Sequence, residues 1–199
     1  MITIIDKLNE SPYVTFYHFY AMANRVSQDN IDAALISSFN KNTQEVNSRY
    51  VNIKYIDKNK WIFFTNYNSP KSKDFEGHNQ IAVTFFWNKI NLQIRIKAII
   101  AKASEKFSNE HFQKRPDKKN ALSISSNQSQ KIQSYEQVLE NYEKVLHNKN
   151  ILLKRPEYWG GFKFIPYYFE FWEGHESRIN RRLVFHWINQ DWEKSIIQP

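Results

Sequence analysis

Residues 81–103 read I-A-V-T-F-F-W-N-K-I-N-L-Q-I-R-I-K-A-I-I-A-K-A. Two β-like runs, Ile81–Trp87 and Leu92–Ala103, flank the polar break Asn88–Asn91. In the second run Ile94, Ile96, Ala98 and Ile100 fall on one face, with Arg95, Lys97 and Ile99 on the other. That is the period of two expected of a strand with one buried face. Similar runs lie on both sides: Asp32–Phe39, Arg49–Ile56 and Trp61–Thr65 upstream, Phe162–Trp172, Leu183–Trp187 and Trp192–Ile197 downstream. Polar turn residues such as Asn40–Asn42 and Asp57–Lys60 bound them.

Helical patterns are inserted between these runs. Pro12 to about Ser27 carries Val14, Phe16, Tyr17, Tyr20 and Met22 at helical spacing. Ser69–His78 has Ser69 as N-cap and Pro70 at the first helical position. Ser108–Arg115 ends before Pro116, and Gln130–His147 is amphipathic. Ala121–Ser129, rich in Ser and Asn, reads as a loop. The sum predicts an α+β, mainly β chain: a small closed or split β-barrel with helices packed around it. Nothing alternates as strand–helix–strand with a glycine turn. No repeat, low-complexity tract or Pro/Gly linker divides residues 1–199, so one domain is expected, with 1–11 as an N-terminal extension.

Composition narrows the chemistry. The 199 residues are 41% hydrophobic and 16% aromatic, ordinary for a folded chain. Cysteine is absent, which excludes disulfides, thiolate zinc sites, iron–sulfur clusters and cysteine nucleophiles. Four glycines, Gly77, Gly160, Gly161 and Gly174, cannot supply a Walker loop or a dinucleotide fingerprint. A phosphate here would be held by charged and hydroxylic side chains, helped by helix N-termini. The six histidines lack metal-ligand spacing, so no metal is expected. Met1–Asp6 is too short for a secretory h-region, and no apolar run approaches a membrane span. A cytoplasmic protein without membrane contact is the expectation.

Lys and Arg number 28 against 20 Asp and Glu, a net charge of +8. That balance suits an anionic partner, and it equally suits a lysine-rich solvated surface. No RNA-binding signature accompanies it, so nucleic acid is not expected. Cations beside hydroxyl or amide groups mark the strand ends. Arg49 and Lys54, five apart, would face opposite sides of one strand unless a bulge intervenes. Thr65, Ser69 and Lys71 cluster at a strand-to-helix junction. Arg115, Lys118 and Lys119 follow a short helix, and Arg178, Arg181 and Arg182 form a late cluster. With Trp87, Trp159 and Trp172 near them in sequence, they suggest a flat aromatic ligand bearing phosphate.

The segments R-Y-V-N-I-K (49–54), F-F-T-N-Y-N-S-P-K (63–71), Q-I-R-I (93–96), R-P (115–116), S-N-Q-S (126–129), W-G-G-F (159–162) and E-F-W-E-G-H-E-S-R-I-N-R-R (170–182) carry a resemblance. In order and spacing they are similar to pyridoxine/pyridoxamine 5′-phosphate oxidases, from about residue 12 to the closing Trp192 and Pro199. The resemblance implies an FMN-binding split barrel, homodimeric with FMN at the interface, and a C-terminal dimerisation and substrate segment over 162–199. Its cofactor set would be Arg49, Tyr50, Val51, Asn52, Ile53, Lys54, Phe64, Thr65, Lys71, Gln93, Gln128, Ser129, Trp172 and Arg182. Where the family usually has a further Arg, this chain has Pro70.

For the substrate, the resemblance implies Lys54, His111, Arg115 and Lys119 around a phosphate, with Arg178 and Asn180 over the reacting ring as the catalytic pair. His111 and Lys119 replace a Tyr and a Ser, and Asn180 replaces a His that titrates near neutrality. The implied reaction oxidises pyridoxamine or pyridoxine 5′-phosphate to pyridoxal 5′-phosphate, with hydride passing to flavin N5 and dioxygen reduced to hydrogen peroxide. The alternative, motivated by the three replacements, is an FMN-dependent oxidase of another anionic aromatic metabolite, as in phenazine biosynthesis.

Overall fold

A computed structural model describes residues 1–199. The chain runs β1 (Thr3–Asp6), α1 (Ser11–Arg25), β2 (Ala33–Asn40), β3 (Glu45–Asn52), β4 (Tyr55–Asp57), β5 (Lys60–Asn66), α2 (Pro70–Gly77), β6 (Gln80–Trp87) and β7 (Leu92–Lys102). It continues through α3 (Glu105–Lys114), α4 (Asp117–Ser125), α5 (Tyr135–Leu146), α6 (Lys149–Leu152), β8 (Trp159–Glu173), β9 (Arg181–Ile188) and β10 (Asp191–Ile197). The ten strands form one sheet, ordered β1-β4-β5-β8-β7-β6-β2-β3, with β9 on β8 and β10 on β9. All pairings are antiparallel except β1 on β4. The mainly β split barrel with surrounding helices is thus the observed architecture.

The alternation read in the sequence decides the core. Ile81, Val83, Phe85 and Trp87 of β6 and Leu92, Ile94, Ile96, Ala98 and Ile100 of β7 all point inward and are buried. Phe16 of α1 closes the barrel end, its ring 4.5 Å from that of Trp61. Tyr13 and Phe16 are the buried aromatics of this helix, whereas Val14 and Met22 of the expected apolar face are exposed. Each fully buried aromatic or aliphatic side chain contributes about 1.5–3 kcal/mol by leaving water.

β8 is the central beam. Residues 159–164 pair with β5, residues 168–173 with β9, and the opposite edge pairs with β7. Pro166, which has no N–H to donate, lies in the gap between the two pairings, beside an irregularity in the β7 register.

Several boundaries differ from the sequence expectation. The expected extension 1–11 contains β1 and the start of α1. The single strand Arg49–Ile56 is two strands, broken at Ile53–Lys54. There the Ile53 N–H donates to the Asp32 carbonyl and the Lys54 N–H to the Ile62 carbonyl, moving the chain from one sheet edge to the other. The expected loop at Ala121–Ser129 begins as α4, because Asn120 and Ala121 are buried and the Asn120 amide donates to the carbonyls of Phe112 and Leu152. Tertiary anchoring overrides the weak helix propensity of Ser and Asn. The long helix starts at Tyr135 rather than Gln130, with Ser134 accepting from the Gln137 N–H as its cap. Ser69 precedes α2 but does not cap it through its side chain; its hydroxyl donates to the Asn66 carbonyl.

Candidate functional site

The break at Ile53–Lys54 places β3, β4, β5 and the α2 and α3–α4 helices around one cleft of about 840 Å³. Six cations line it: Arg49, Lys54, Lys71, Lys114, Arg115 and Lys119. None of the nineteen lining residues is acidic. Carboxylates act only from behind. Asp32 takes the Lys54 ammonium at 2.9 Å. Asp74 lies 3.8 Å from the Arg49 guanidinium and accepts from Ser38 Oγ at 2.7 Å, while Ser38 Oγ accepts from Arg49 Nη1 at 2.7 Å.

Lys71 has no such partner. Its Nζ lies 3.2 Å from both Thr65 Oγ1 and Ser69 Oγ, so the junction cluster seen in the sequence is a cluster in space. Burial, reinforced by the Arg49 charge, pushes its amine down to about 8. A half-buried ammonium with hydroxyl partners and a neighbouring guanidinium is the donor set of an anion site, and a phosphate fits it. Gln128 and Ser129 border the same end, with Gln128 Oε1 3.3 Å from Thr65 Oγ1.

Further along, the rings of His111, Phe64 and Trp159 form a parallel stack. His111 and Phe64 are 3.7 Å apart at 11°, Phe64 and Trp159 5.3 Å apart at 12°. The Arg115 guanidinium covers Trp159 at 4.3 Å and donates to Asn120 Oδ1 and Ser123 Oγ. Burial lowers Arg115 to about 10, still charged at neutral pH. Gly161 sits opposite Phe64 in the β5–β8 register, and a Cβ there would come within 3.2 Å of the Phe64 ring. Gly161 thus lets Phe64 lie against β8, while Gly160 makes room for the Tyr67 ring.

Of the residues singled out in the sequence, Arg49, Tyr50, Val51, Asn52, Lys54, Phe64, Thr65, Lys71, His111, Arg115, Lys119, Gln128 and Ser129 share this cleft. Ile53 does not; its side chain is fully buried in the core. Gln93, Trp172, Arg178, Asn180 and Arg182 lie outside the lining. Gln93, Trp172 and Arg182 are aligned across β7, β8 and β9. Arg182 is held by Glu170, and Arg181 lies 3.5 Å from Glu173, so two members of the late basic cluster are paired. Asn180 Oδ1 accepts from the His175 N–H, and Arg178 is exposed in a left-handed backbone conformation, φ 61°. Tyr55, Lys114 and Trp159 line the cleft without having been singled out as site residues. Trp159 carried a signal in the W-G-G-F segment, and Tyr55 only in its adjacency to Lys54.

Comparison with known proteins agrees with this geometry. Residues 9–159 match the family described as pyridoxamine 5′-phosphate oxidase. Residues 159–199 match the pyridoxine 5′-phosphate oxidase C-terminal dimerisation region. A pyridoxine/pyridoxamine 5′-phosphate oxidase of Leptospira biflexa is 33% identical over 189 residues, 94% of this chain and 89% of that protein. Among solved structures, PhzG from Burkholderia lata 383, in complex with tetrahydrophenazine-1-carboxylic acid, superposes with a TM-score of 0.90 at 23% identity, covering 98% of this chain and 95% of that one. A pyridoxamine 5′-phosphate oxidase-related, FMN-binding protein from Nostoc punctiforme does so with a TM-score of 0.79 at 13% identity, covering 96% and 100%. No helix is long and apolar enough to cross a membrane. The chain belongs to the pyridoxamine 5′-phosphate oxidase family and is an FMN-dependent oxidoreductase.

Proposed function

We propose that this enzyme oxidises pyridoxamine 5′-phosphate or pyridoxine 5′-phosphate to pyridoxal 5′-phosphate, with dioxygen as the final acceptor. The observation that carries the reading is a cleft lined by six cations and no carboxylate. Arg49, Lys71, Thr65 and Ser129 would hold the FMN phosphate, and Gln128 the amide or ribityl edge. When bound, FMN would supply the two-electron acceptor for the substrate C4′ hydride, with dioxygen as the reoxidant and hydrogen peroxide as its product.

The protein's part is to bind, orient and exclude water. Arg115 and Lys119, with Lys54 steadied by Asp32, would clamp the substrate phosphate. The stack of His111, Phe64 and Trp159 forms an apolar wall beside it. Gln93, Trp172, Arg178, Asn180 and Arg182, which do not line the cleft of their own chain, would complete the cleft of a second copy in a homodimer. The dimerisation region at 159–199 contains four of these five and supports that arrangement.

Incubating the FMN-loaded protein with pyridoxamine 5′-phosphate under oxygen tests the reading. Pyridoxal 5′-phosphate and hydrogen peroxide are expected in equal amounts. No aldehyde at high enzyme concentration would reject it. A second reading, oxidation of another anionic aromatic metabolite, is favoured by His111, Lys119 and Asn180, which leave the cations but change the neutral and titrating contacts. Turnover of an aromatic carboxylate in place of the phosphate ester would select it.

A further inference from the structure

Tyr55 and His111 come from different elements, β4 and α3, and meet at the cleft. Tyr55 Oη lies 2.9 Å from His111 Nδ1. The two rings stand edge to face, 5.4 Å apart at 87°, while one face of the imidazole is stacked on Phe64 at 3.7 Å. Held at an edge and a face, the imidazole has its swing and flip restricted. Nε2 has no protein hydrogen-bond partner, and His111 lines the cleft beside Lys54, Lys114, Arg115 and Lys119.

We propose that the Tyr55 hydroxyl donates a hydrogen bond to Nδ1 and so fixes His111 as the Nε2–H tautomer, an uncharged donor that reads the anionic group of the substrate. This assignment of Tyr55 as a positioning residue rests on the substrate reading above. In a neutral imidazole a nitrogen that accepts a hydrogen bond carries no proton, so an accepting Nδ1 leaves the ring proton on Nε2. The environment keeps the ring neutral: burial first, then the charges of Arg115, Lys54, Lys114 and Lys119, lower His111 to about 4. Burial also raises the Tyr55 phenol, so its proton remains available to donate. With four cations already present, an added charge would be repelled. A neutral donor instead adds direction: it rewards an oxygen placed in the imidazole plane, and it discriminates among anions by shape.

The test uses FMN-loaded protein labelled with 15N-histidine, read by long-range proton–nitrogen correlation at pH 7. The expected spectrum shows His111 with Nε2 protonated and Nδ1 not, and added inorganic phosphate shifts the Nε2 resonance. Tyr55→Phe should give a mixture of tautomers and weaken inorganic phosphate binding by about two- to fivefold, in proportion to the lost Nε2–H population. KM for pyridoxamine 5′-phosphate should rise by a similar factor, with kcat within about twofold and FMN affinity unchanged. A wild-type His111 protonated on Nδ1 would overturn the assignment, as would a Tyr55→Phe protein with unaltered tautomer and phosphate affinity. The wild-type spectrum needs no substitution, so a poorly folding variant does not shield the idea. A protein with the expected tautomer and phosphate response that forms no pyridoxal 5′-phosphate would overturn the substrate reading and leave this one standing.

Discussion

Glu170 and Arg182 pair diagonally across β8 and β9, with Arg182 Nε 2.9 Å and Nη2 2.8 Å from the same carboxylate oxygen. The second oxygen accepts from Tyr168 Oη at 2.8 Å and Arg95 Nη1 at 2.9 Å, and Glu170 is buried. Removing a carboxylate from such a network strands the donors that face it. Glu170→Ala should lower unfolding free energy by about 1–3 kcal/mol in urea titrations, because Arg95 and Arg182 are partly exposed and water takes up some of the lost contacts. A loss within error would mean that Glu170 is not the anchor of this end of the sheet.

The same group gives a pH signature. Burial pushes Glu170 upward, but the hydrogen bonds of Tyr168 and Arg182 and the charges of Arg95 and Arg182 outweigh it, so its pKa lies below the usual 4.5. Its stabilisation is therefore complete above pH 4.5 and is lost as pH falls through the lower, folded value. The stability gap between wild type and Glu170→Gln should narrow in acid, as the pH falls below 4.5 and through the lower folded value. A gap independent of pH between 3 and 7 would contradict the charged network.

Arg49 links the cleft to Asp74 through Ser38. In Arg49→Ala the FMN phosphate would lose a charge-assisted contact of roughly 1.5–3 kcal/mol, so Kd should rise by about 10- to 150-fold. Titration of flavin fluorescence measures it, and an unchanged Kd would remove Arg49 from the cofactor site.

Lys71 supplies a dependence in alkali. Its free-state pKa near 8 means that above pH 8 phosphate binding must take up a proton. FMN affinity of the wild type should therefore weaken above pH 8, by up to about tenfold per pH unit. Lys71→Met should bind more weakly throughout and show a flatter profile. Parallel profiles for the two proteins would show that Lys71 does not meet the phosphate.

Asn180 stands in the exposed turn before β9, where the family resemblance implies His. Asn180→His should leave FMN affinity unchanged and alter kcat and its pH profile, because imidazole titrates near neutrality and an amide does not. A change confined to flavin retention would move this residue from the substrate to the cofactor.

The fold was legible wherever burial is one-sided. β7 alternates so regularly that its inward residues Ile94, Ile96, Ala98 and Ile100 could be named from spacing, whereas the continuous apolar run of β6 left its inward face unassigned. The break between β3 and β4 was not, because the period of two runs through Ile53 and the interruption is set by distant partners, the Asp32 and Ile62 carbonyls. α4 was hidden for a similar reason: Asn120 favours helix only because Phe112 and Leu152 supply its acceptors. At the site, Thr65, Ser69 and Lys71 were readable as a local cluster. The pairs Lys54–Asp32 and Arg49–Asp74 span separate elements, so spacing alone could not distinguish a neutralised cation from a free one. Tyr55 escaped for the same reason, since its meaning lies in His111, 56 residues away.

The crowding of half-buried ammonium and guanidinium groups in the cleft has a cellular consequence. A ligand that binds the folded chain alone lowers the fraction open to proteases, and relief of mutual repulsion here adds to that effect. Newly made copies should therefore survive longest when riboflavin-derived cofactor is plentiful, tying the abundance of this polypeptide to vitamin supply after translation.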